Sequence, residues 1–547
     1  MADDPRATAL LKRYSTLQTQ RQHWESHWQE IADFIVPRKA DITKKRTAGD
    51  KRTELIFDGT AIHAAELMSA SLHGMLTNAA TPWFSLRYED DELNGDDEAK
   101  EWLEGATDVM YQHLHRSNFQ EQIHELYSDL VTFGTSIIFI EDNDKDGLRF
   151  STRHIAECYV SEDEYGRVDT VYRKYKTTAR AAIRQFGEAN VTQRISKMSK
   201  DDPYNTVELL HVVMPREDRN ARKRNTTNKP IASIYLDPVD KQVIGESGYD
   251  EFPYCVPRFL KASFEIGYGR SPAMTALPDT KMVNKMSEIV INASQLQIHP
   301  PLMVPDDGFM LPVRQTPGGL NFYRSGTRDR IEPLNIGANN PVGENQLEQR
   351  RQAIRAAFYV DQLILGTGPQ MTATEVIQRT EEKMRLLGPV LGRLQAELLQ
   401  PLIDRSFAIL ARQKKFQPAP AALRAGNIDI EYVSPLAKAQ RSGDVQAILQ
   451  MLEFLMPLTN IDQSVLDYLD IDGLAKHIIK TTGTPATVVR GEGEVSDIRE
   501  NRAAQMAQQA EMQAMSQMAE AAGAAAPALR AVDETDVDLE AIAEGAA

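Results

Sequence analysis

Two histidines stand one helical turn apart near the start of the chain, at His23 and His27. At that spacing, two imidazoles on a helix can share a metal ion. No third ligand and no glutamate base follow in the matching pattern, so the sequence favours ordinary surface histidines over a metal centre. The two cysteines, Cys158 and Cys255, match no metal or redox spacing. We interpret them as reduced thiols of a cytosolic protein.

Motifs of nucleotide hydrolysis and covalent catalysis are missing from the sequence. It holds no Gly-x-x-x-x-Gly-Lys-Ser/Thr loop, no Gly-x-Ser-x-Gly elbow, no His-Glu-x-x-His and no Cys-x-x-Cys. Carboxylates are plentiful, but no pair stands out as catalytic. We therefore expect no enzymatic activity, no catalytic residue, no metal and no cofactor. A soluble enzyme with an unrecognised site is the least favoured hypothesis.

The size and charge of the chain limit the remaining classes. A chain of 547 residues is too long for one core and predicts two to four domains. No apolar run is long enough to cross a membrane, and residues 1–5 lack a secretory leader, so we expect neither a membrane span nor secretion. The net charge of −16 argues against a broad grip on nucleic acid. It remains compatible with a channel through which DNA slides, because such a channel gains from holding phosphates weakly.

The first third of the chain alternates amphipathic helices with short strands. One helical face, ended by Pro37, has steps of four and three through Leu10, Tyr14, Leu17, Arg21, Trp24, Trp28, Ile31 and Ile35. A second helix is predicted over 58–80, with Asp58 or Thr60 as its cap, and a strand over 83–88. Helices over 98–115 and 120–133 follow, and Gly134 ends the latter.

Short strands and turns dominate the sequence from residue 135 to about 260. A strand is predicted over 135–141, a turn over 143–147, and a short helix over 178–186 that is capped by Gly187. This pattern indicates an α+β body. Two basic segments, 38–52 and 216–229, are interpreted as solvated loops; contact with nucleic acid or an acidic partner is the alternative.

A Gly-Tyr-Gly-Arg-Ser-Pro segment at 267–272 opens the middle of the chain. Gly269 would permit an unusual backbone angle, Ser271 would cap a helix, and Pro272 suits its first position. Helical periodicity continues to residue 298, with Pro278 interrupting or restarting the helix. The next segment, 299–343, is rich in proline and glycine, which predicts a small subdomain. Its basic residues include Arg314, Arg324, Arg328 and Arg330.

A returning helix, a loop and a long helix come next. The helix is predicted over 344–365, with Leu347, Ile354, Phe358 and Leu365 on one stripe and Arg350, Arg351 and Arg355 on other faces. Two glycines and a proline exclude regular structure over 366–372, a loop that could reach ~12 Å out and back; a simple helix-to-helix turn is the alternative. The long helix, 373–413, must kink or break at Gly388-Pro389 and Pro401.

The last quarter begins with a proline- and alanine-rich linker over 417–425. A strand is predicted over 427–433 and a helical region from there to residue 485. A Gln-, Met- and Ala-rich helix extends to about residue 522, and the acidic end, 533–544, predicts a disordered tail.

Two helices flanking an excursion, followed by a loop and a long helix, suit a ring subunit whose helices line a channel. In this plan and its order, nearly the whole chain resembles the head-to-tail connector, or portal, proteins of short-tailed double-stranded-DNA phages. The resemblance implies a mainly helical α+β subunit with wing, stem, clip and helical crown and a long kinked helix. The implied divisions are wing 1–270, stem helix 271–298, clip 299–343, second stem helix 344–365, channel loop 366–372, long kinked wing helix and linker 373–426, crown 427–485, and C-terminal helix and acidic tail 486–547.

The resemblance also implies functional residues and partners. The loop that would ring the DNA consists of Gly366, Thr367, Gly368, Pro369, Gln370, Met371 and Thr372. Candidate channel-lining residues are Arg350, Arg351 and Arg355, and candidate docking residues for the motor or tail adaptor are Arg314, Arg324, Arg328 and Arg330.

The implied assembly is a homododecameric ring at one capsid vertex of the virion, formed in the host cytoplasm, with double-stranded DNA passing through it. Its partners would be the terminase motor, scaffolding and major capsid proteins, and tail adaptor and nozzle proteins. A coiled-coil tail or internal virion protein is the alternative. That alternative predicts sustained heptads without prolines, and Gly388-Pro389 and Pro401 disagree with it.

Overall fold

Most of the first 300 residues and parts of the remainder are described by the computed structural model. The described residues are 4–44, 46–47, 49–88, 97–143, 145–220, 222–223, 225–298, 302–303, 332–333, 341–363, 387–420, 428–432, 448–455, 469–482, 490 and 492–533. The chain divides into two compact units. Unit 1 comprises Met1–Asp91 and Trp102–Ala447, and unit 2 comprises Glu92–Glu101 and Ile448–Ala547.

Helices account for most of the regular structure. In chain order they are α1 (Pro5–Phe34), α2 (Thr60–Leu76), α3 (Asp97–Arg116), α4 (Phe119–Phe133), α5 (Ala179–Phe186), α6 (Gln193–Asp201), α7 (Pro272–Ile298), α8 (Pro341–Ala357), α9 (Val360–Leu363), α10 (Gln400–Arg412), α11 (448–455), α12 (Ile471–Thr482) and α13 (Glu492–Asp533). Single 3-10 turns occupy Pro37–Lys39, Ile155–Glu157 and Thr226–Asn228. Helix also covers 387–394, and a π-helical turn, Gln395–Leu399, joins it to α10.

Antiparallel strands form the sheets of unit 1. The strands are β1 (Phe84–Tyr88), β2 (Ile137–Asn143), β3 (Gly147–Arg153), β4 (Cys158–Glu162), β5 (Val168–Thr178), β6 (Thr206–Pro215), β7 (Ile231–Asp237), β8 (Gln242–Tyr249), β9 (Tyr254–Cys255), β10 (Leu302–Met303), β11 (Glu332–Pro333) and β12 (Ile428–Tyr432). The largest sheet has the order β4-β5-β6-β7-β8, and a second has the order β3-β2-β9. The strand pairs β1-β12 and β10-β11 complete the described sheets, which confirms a mainly helical α+β chain.

Helix α1 lies on the five-stranded sheet through the face that its periodicity predicts. Leu10, Tyr14 and Leu17 are buried in a cluster with Tyr172 and other apolar side chains of the sheet. The next position of that face is Arg21, which is 1% exposed. Its guanidinium donates to the carbonyl oxygens of three consecutive-turn residues, Ile155, Ala156 and Cys158. The cation is therefore part of the core and ties α1 to the start of β4.

The first basic segment, 38–52, is held against the body instead of being a free solvated loop. Lys39 pairs with the buried carboxylate of Asp129, and both Lys44 and Arg46 pair with Asp33. The sequence missed this because the carboxylates are supplied by α1 and α4. In the second segment, Arg216 and Lys229 at its two ends are also paired, to Glu246 and Asp250 respectively.

Three helical predictions differ from the structure at their ends or interruptions. Helix α7 continues through Pro278, which sits in its second turn. The returning helix ends at Ala357, because Tyr359 takes a left-handed conformation with φ of 55° before the short α9. The long helix meets Pro401 with a π-helical turn. Pro401 has no N–H to donate to the carbonyl oxygen of residue 397, and in an α-helix its ring would clash with that carbonyl. The wider π-helical turn over Gln395–Leu399 removes this clash.

The strand predicted over 427–433 is confirmed as β12, which pairs with β1 in unit 1, with Phe84 opposite Tyr432. The end of the last helix differs from the prediction. Helix α13 extends to Asp533, past the predicted end near residue 522, so it spans ~63 Å. The remainder of the acidic tail lies outside the described residues. Among those described, no helix combines the length and apolarity needed to cross a membrane.

Candidate functional site

Helix α7 begins in a tightly packed junction built from residues 267–272. The Ser271 hydroxyl accepts from the Met274 amide at 3.1 Å, so Ser271 caps α7 as predicted. The same hydroxyl donates to the Thr132 carbonyl at the end of α4, at 2.7 Å. The cap therefore also fixes the position of α7 on the body.

Gly269 has a different role from the one its residue type suggested. Its φ is not in the left-handed region, which in this segment is occupied by Gly267 with φ of 84°. A Cβ at Gly269 would lie 2.7 Å from the Gly134 carbonyl oxygen, and one at Gly134 would lie 2.4 Å from that of Gly269. The two glycines are needed because two backbone segments approach each other closely.

Tyr268 joins the same junction to α1. Its ring centroid lies 5.9 Å from that of Trp24 and 5.1 Å from that of Trp28. Its hydroxyl accepts from the Val160 amide at 3.4 Å, and burial raises the pKa of Tyr268 to about 12. The tyrosine is thus a neutral packing residue, and three elements converge on it.

The two candidate stem helices, α7 and α8, pack against each other. Leu347, Ile354 and Phe358 of the predicted stripe are buried, whereas Leu365 lies outside the described residues. On α7, the proximal turns are buried on one face, but each residue of 289–298 is exposed. Ile289, Val290 and Ile291 are among them. The distal third of α7 thus projects apolar side chains into solvent in the single chain.

Arg350, Arg351 and Arg355 lie together on α8, and each faces a carboxylate of the same chain. Arg350 pairs with Asp279 of α7 at 3.0 Å, which links the two helices directly. Arg351 reaches Asp58, next to the start of α2, with two nitrogens at 2.7 and 2.9 Å. Arg355 pairs within its own helix, with Glu348 at 3.5 Å.

Asp58 is the point where α2, α7 and α8 meet. Its Oδ1 accepts from the Thr60 amide, so it caps α2 from the position before Gly59. The Asn284 side chain of α7 accepts from the Phe57 and Asp58 amides at 2.8 and 3.2 Å. Burial alone would raise the pKa of Asp58, but the hydrogen bonds from Thr60 and the Arg351 guanidinium lower it below the usual range. The carboxylate is therefore held ionised.

Replacing Arg351 with methionine should destabilise unit 1 by about 1–2 kcal/mol. Hydrogen bonds to charged groups contribute about 1.5–3 kcal/mol, and the expected loss is at the low end of that range. The reason is that solvent weakens the ion pair at the Arg351 side chain, which is 34% exposed, although that of Asp58 is only 6% exposed. Urea unfolding followed by tryptophan fluorescence measures the change. Arg355→Met is the control and should cost much less; equal losses would contradict a positioning role for Arg351.

A buried ionic cluster that the sequence did not reveal ties the long helix to the body. We name it the Arg258 network, comprising Arg258, Glu162, Lys261 and Glu397. Arg258 is 1% exposed and donates to both oxygens of Glu397, in the π-helical turn, at 2.6 and 3.1 Å. It also pairs with Glu162, which in turn accepts from Lys261 at 2.7 Å. No sequence spacing could have connected these residues, because the Arg258–Glu397 separation is 139 positions.

The remaining predicted site residues lie outside the described part of the chain. These are the loop Gly366, Thr367, Gly368, Pro369, Gln370, Met371 and Thr372, and the arginines Arg314, Arg324, Arg328 and Arg330. Two described pieces of the 299–343 excursion are β10 and β11, which pair with Leu302 opposite Pro333. An antiparallel strand pair therefore joins the two ends of the excursion.

The histidine pair at the start of the chain offers no metal site in the described structure. His23 is exposed, and His27 is half-buried with a pKa lowered mainly by burial. Across the described ranges, no group of three or more His, Cys, Asp or Glu side chains is arranged to hold an ion.

The chain is mainly helical α+β, and ion pairs hold a pair of helices on its body while one of them stays partly uncovered. These are features of a subunit of a larger assembly. The chain belongs to the family of bacteriophage head to tail connecting proteins, whose model matches residues 7–489. It is therefore a phage portal subunit.

Individual relatives agree over nearly the full length. The chain is 32% identical over 518 residues to the probable portal protein of Bordetella phage BPP-1, covering 92% of each chain. It is 31% identical over 506 residues to the portal protein of Salmonella phage epsilon15, covering 91% of each. Among solved structures, the neck of an empty GTA particle computed with C6 symmetry is similar at 12% identity and a TM-score of 0.36, over 74% of this chain and 89% of that one.

Membership of this family carries three consequences. The chain is a virion component at the head-tail junction, it takes part in a ring assembly there, and its family is structural and not a known enzyme class.

Proposed function

We propose that twelve copies of this chain close into a ring at one vertex of the capsid, with double-stranded DNA passing through the central channel. Each copy would meet its neighbours through a heterologous interface that is repeated until the ring closes. DNA would enter during packaging and leave by the same route during ejection. The subunit supplies geometry and no ATP hydrolysis, so an external terminase motor would drive translocation.

The observation that carries this proposal is the anchored helix pair α7–α8. The ion pair of Arg350 links the two helices to each other. The ion pair of Arg351 with Asp58 and the hydrogen bond of the Ser271 cap to α4 fix them to the rest of unit 1. Every residue of the distal third of α7, 289–298, is exposed in the single chain, including the apolar Ile289 and Ile291. An apolar helix face is stable when another surface covers it. Neighbouring copies in a ring would cover it.

The three arginines of α8 would then have two different roles, positioning the helices and facing the channel. Arg350 and Arg351 hold the helix pair in position, since both are paired to carboxylates outside their own helix. Among the described residues, Arg355 pairs only within α8, with Glu348 at 3.5 Å, and no ion pair ties it to another element, so it is the best candidate of the three to face the channel. Contacts to phosphates would be few and independent of sequence, in keeping with a net charge of −16.

The other assigned segments complete the proposal. The loop Gly366–Thr372 would ring the DNA with Gln370, Met371 and Thr372 as contacting side chains. The excursion 299–343 would be the clip, where Arg314, Arg324, Arg328 and Arg330 dock the terminase motor and later the tail adaptor. Scaffolding, major capsid and nozzle proteins are the other proposed partners, and the ring would assemble in the host cytoplasm before it enters the virion.

Deleting Gly368–Thr372 tests the channel assignment. The purified wild-type chain should give a closed ring of about a dozen copies by native mass spectrometry and negative stain. The deletion should leave that ring intact but impair DNA packaging or retention in phage complemented with the variant.

A length-preserving variant is the matched control, with Gln370, Met371 and Thr372 each replaced by serine. It separates the loss of contacting side chains from the loss of loop length. A deletion variant that no longer forms rings would show that the loop is structural. A wild-type filament or elongated dimer would contradict the ring and favour a coiled-coil virion protein.

A further inference from the structure

Two neighbouring loops of unit 1 expose a group of large apolar side chains. We name the group the apolar loop patch, and its members are Tyr165, Leu260, Phe264 and Ile266, which are 81%, 48%, 80% and 73% exposed. Together they present on the order of 500 Å² of apolar surface. That is the size of the largest apolar patch on a typical monomer, and such patches are often functional.

The two loops are joined by the Arg258 network. Glu162 Oε1 accepts from the Gly267 amide at 2.9 Å, and Glu162 Oε2 accepts from Lys261 at 2.7 Å. Arg258 donates to the Gly166 carbonyl at 2.9 Å, so a single buried arginine holds the turn that carries Tyr165. The left-handed backbone of Gly267, with φ of 84°, directs the chain back into the core directly after Ile266. The apolar side chains are therefore held outward by a rigid polar base.

This arrangement is preorganised for docking. A flexible loop would lose conformational entropy on binding, whereas a loop already fixed by buried ion pairs loses little. The four side chains of the patch offer no positive charge to a phosphate, and two cations beside them are already occupied, since Lys261 pairs with Glu162 and Arg270 pairs with Glu265. The chemistry of the patch thus fits a protein surface and not DNA.

We propose that the apolar loop patch is the surface by which each subunit docks on a second copy of this chain, the next subunit of the ring. The inference rests on the proposed ring, in which every copy must use two different patches to meet two neighbours. The patch supplies more than half of the roughly 800 Å² that each partner buries in a standard interface.

Charge gives a second reason to expect an apolar contact between copies. Each copy carries a net charge of −16, so copies repel one another as they approach. Local apolar contact has to outweigh that repulsion, and the patch is a preformed place for it. Because salt screens the repulsion, ring formation should also strengthen as salt is added.

The test uses a double variant that carries both Phe264→Ser and Ile266→Ser, and compares it with the wild-type chain. Native mass spectrometry over a concentration series should show that the variant needs on the order of ten-fold or more protein to form rings, as expected for two interface anchors. Tryptophan fluorescence should be unchanged, because both side chains are exposed. The matched control is Tyr204→Ser with Val239→Ser, which are 68% and 62% exposed outside the patch; it should assemble like the wild type.

Photo-crosslinking gives an independent readout that does not depend on how the serine variant folds. With p-benzoylphenylalanine at position 264, irradiated rings should give products at multiples of the chain mass, with the crosslink joining two copies. Crosslinks confined to a single chain would overturn the inference, as would a serine variant that forms rings at the wild-type concentration. A wild-type chain that forms no ring at any concentration would instead overturn the proposed function on which the inference rests.

Discussion

Replacing Arg258 with methionine should lower the free energy of unfolding of unit 1 by about 3 kcal/mol. Removing one partner of a buried ion pair leaves the other charge uncompensated, which typically costs about 3–5 kcal/mol. The lower value applies because Lys261 still faces Glu162 at 2.7 Å and Arg393 still faces Glu397 at 3.3 Å. The chain has four tryptophans, all between residues 24 and 102, so urea unfolding followed by tryptophan fluorescence reports on this unit.

Two further variants make the Arg258 result specific. Arg412→Met removes an ion pair with Glu251 in which Arg412 is 43% exposed, and it should cost less than about 1 kcal/mol. Combining Arg258→Met with Glu397→Met should recover part of the loss, because the stranded carboxylate is then gone. A double variant less stable than Arg258→Met alone would contradict the view that the cost comes from an unpaired buried charge.

Acidification should destabilise unit 1 through His211. Burial, with smaller contributions from Arg173 and Arg153, lowers the pKa of His211 to about 3 from an ordinary 6.5. Between these two pH values His211 is protonated in the unfolded chain but neutral in the folded chain. The contribution of neutral His211 to the free energy of unfolding is therefore complete above pH 6.5 and is lost as the pH falls toward 3. At about 1.36 kcal/mol per pH unit, the loss is on the order of 5 kcal/mol.

The variant His211→Gln isolates this contribution from other acid effects. The ring of His211 stacks on Tyr235 with centroids 4.0 Å apart, and its Nε2 lies 2.9 Å from the Ser233 hydroxyl. Losing the stack should make the variant less stable at pH 8, but its stability should fall less steeply on acidification. His23→Gln, at an exposed position, should keep the wild-type profile. Parallel curves for wild type and His211→Gln would exclude His211 as the source.

Local signals in the sequence predicted most of the elements correctly. The helical face of α1, the end of α4 at Gly134, the cap of α5 by Gly187 and the cap of α7 by Ser271 each depend on neighbours within a few positions. Such contacts are fixed by the geometry of a helix and its ends, so residue type and spacing reveal them.

What the sequence could not supply were partners from distant parts of the chain. Arg351 and Asp58 are separated by 293 positions, and their pairing follows only from the packing of α8 on α2. The same reason explains why the basic segment at 38–52 was taken for a solvated loop, since Asp129 belongs to α4. Of the candidate site, the placement of Arg350, Arg351 and Arg355 on one helix was predictable, whereas their carboxylate partners were not. The DNA-contact role of the 366–372 loop and the docking role of the clip arginines stay predictions.

The π-helical turn at Gln395–Leu399 has a consequence for how sequences of this kind can be aligned and engineered. A π turn is equivalent to one residue added to an α-helix, and each α-helical residue turns the chain by about 100°. Removing one residue from 395–399 would therefore leave the helix unbroken but rotate everything before it, including 387–394, by about a quarter turn or more. A one-residue gap in a homologue at this point would indicate that the upstream segment is rotated about the helix axis. For the same reason, helical-wheel positions assigned after Leu399 do not apply to residues before Gln395.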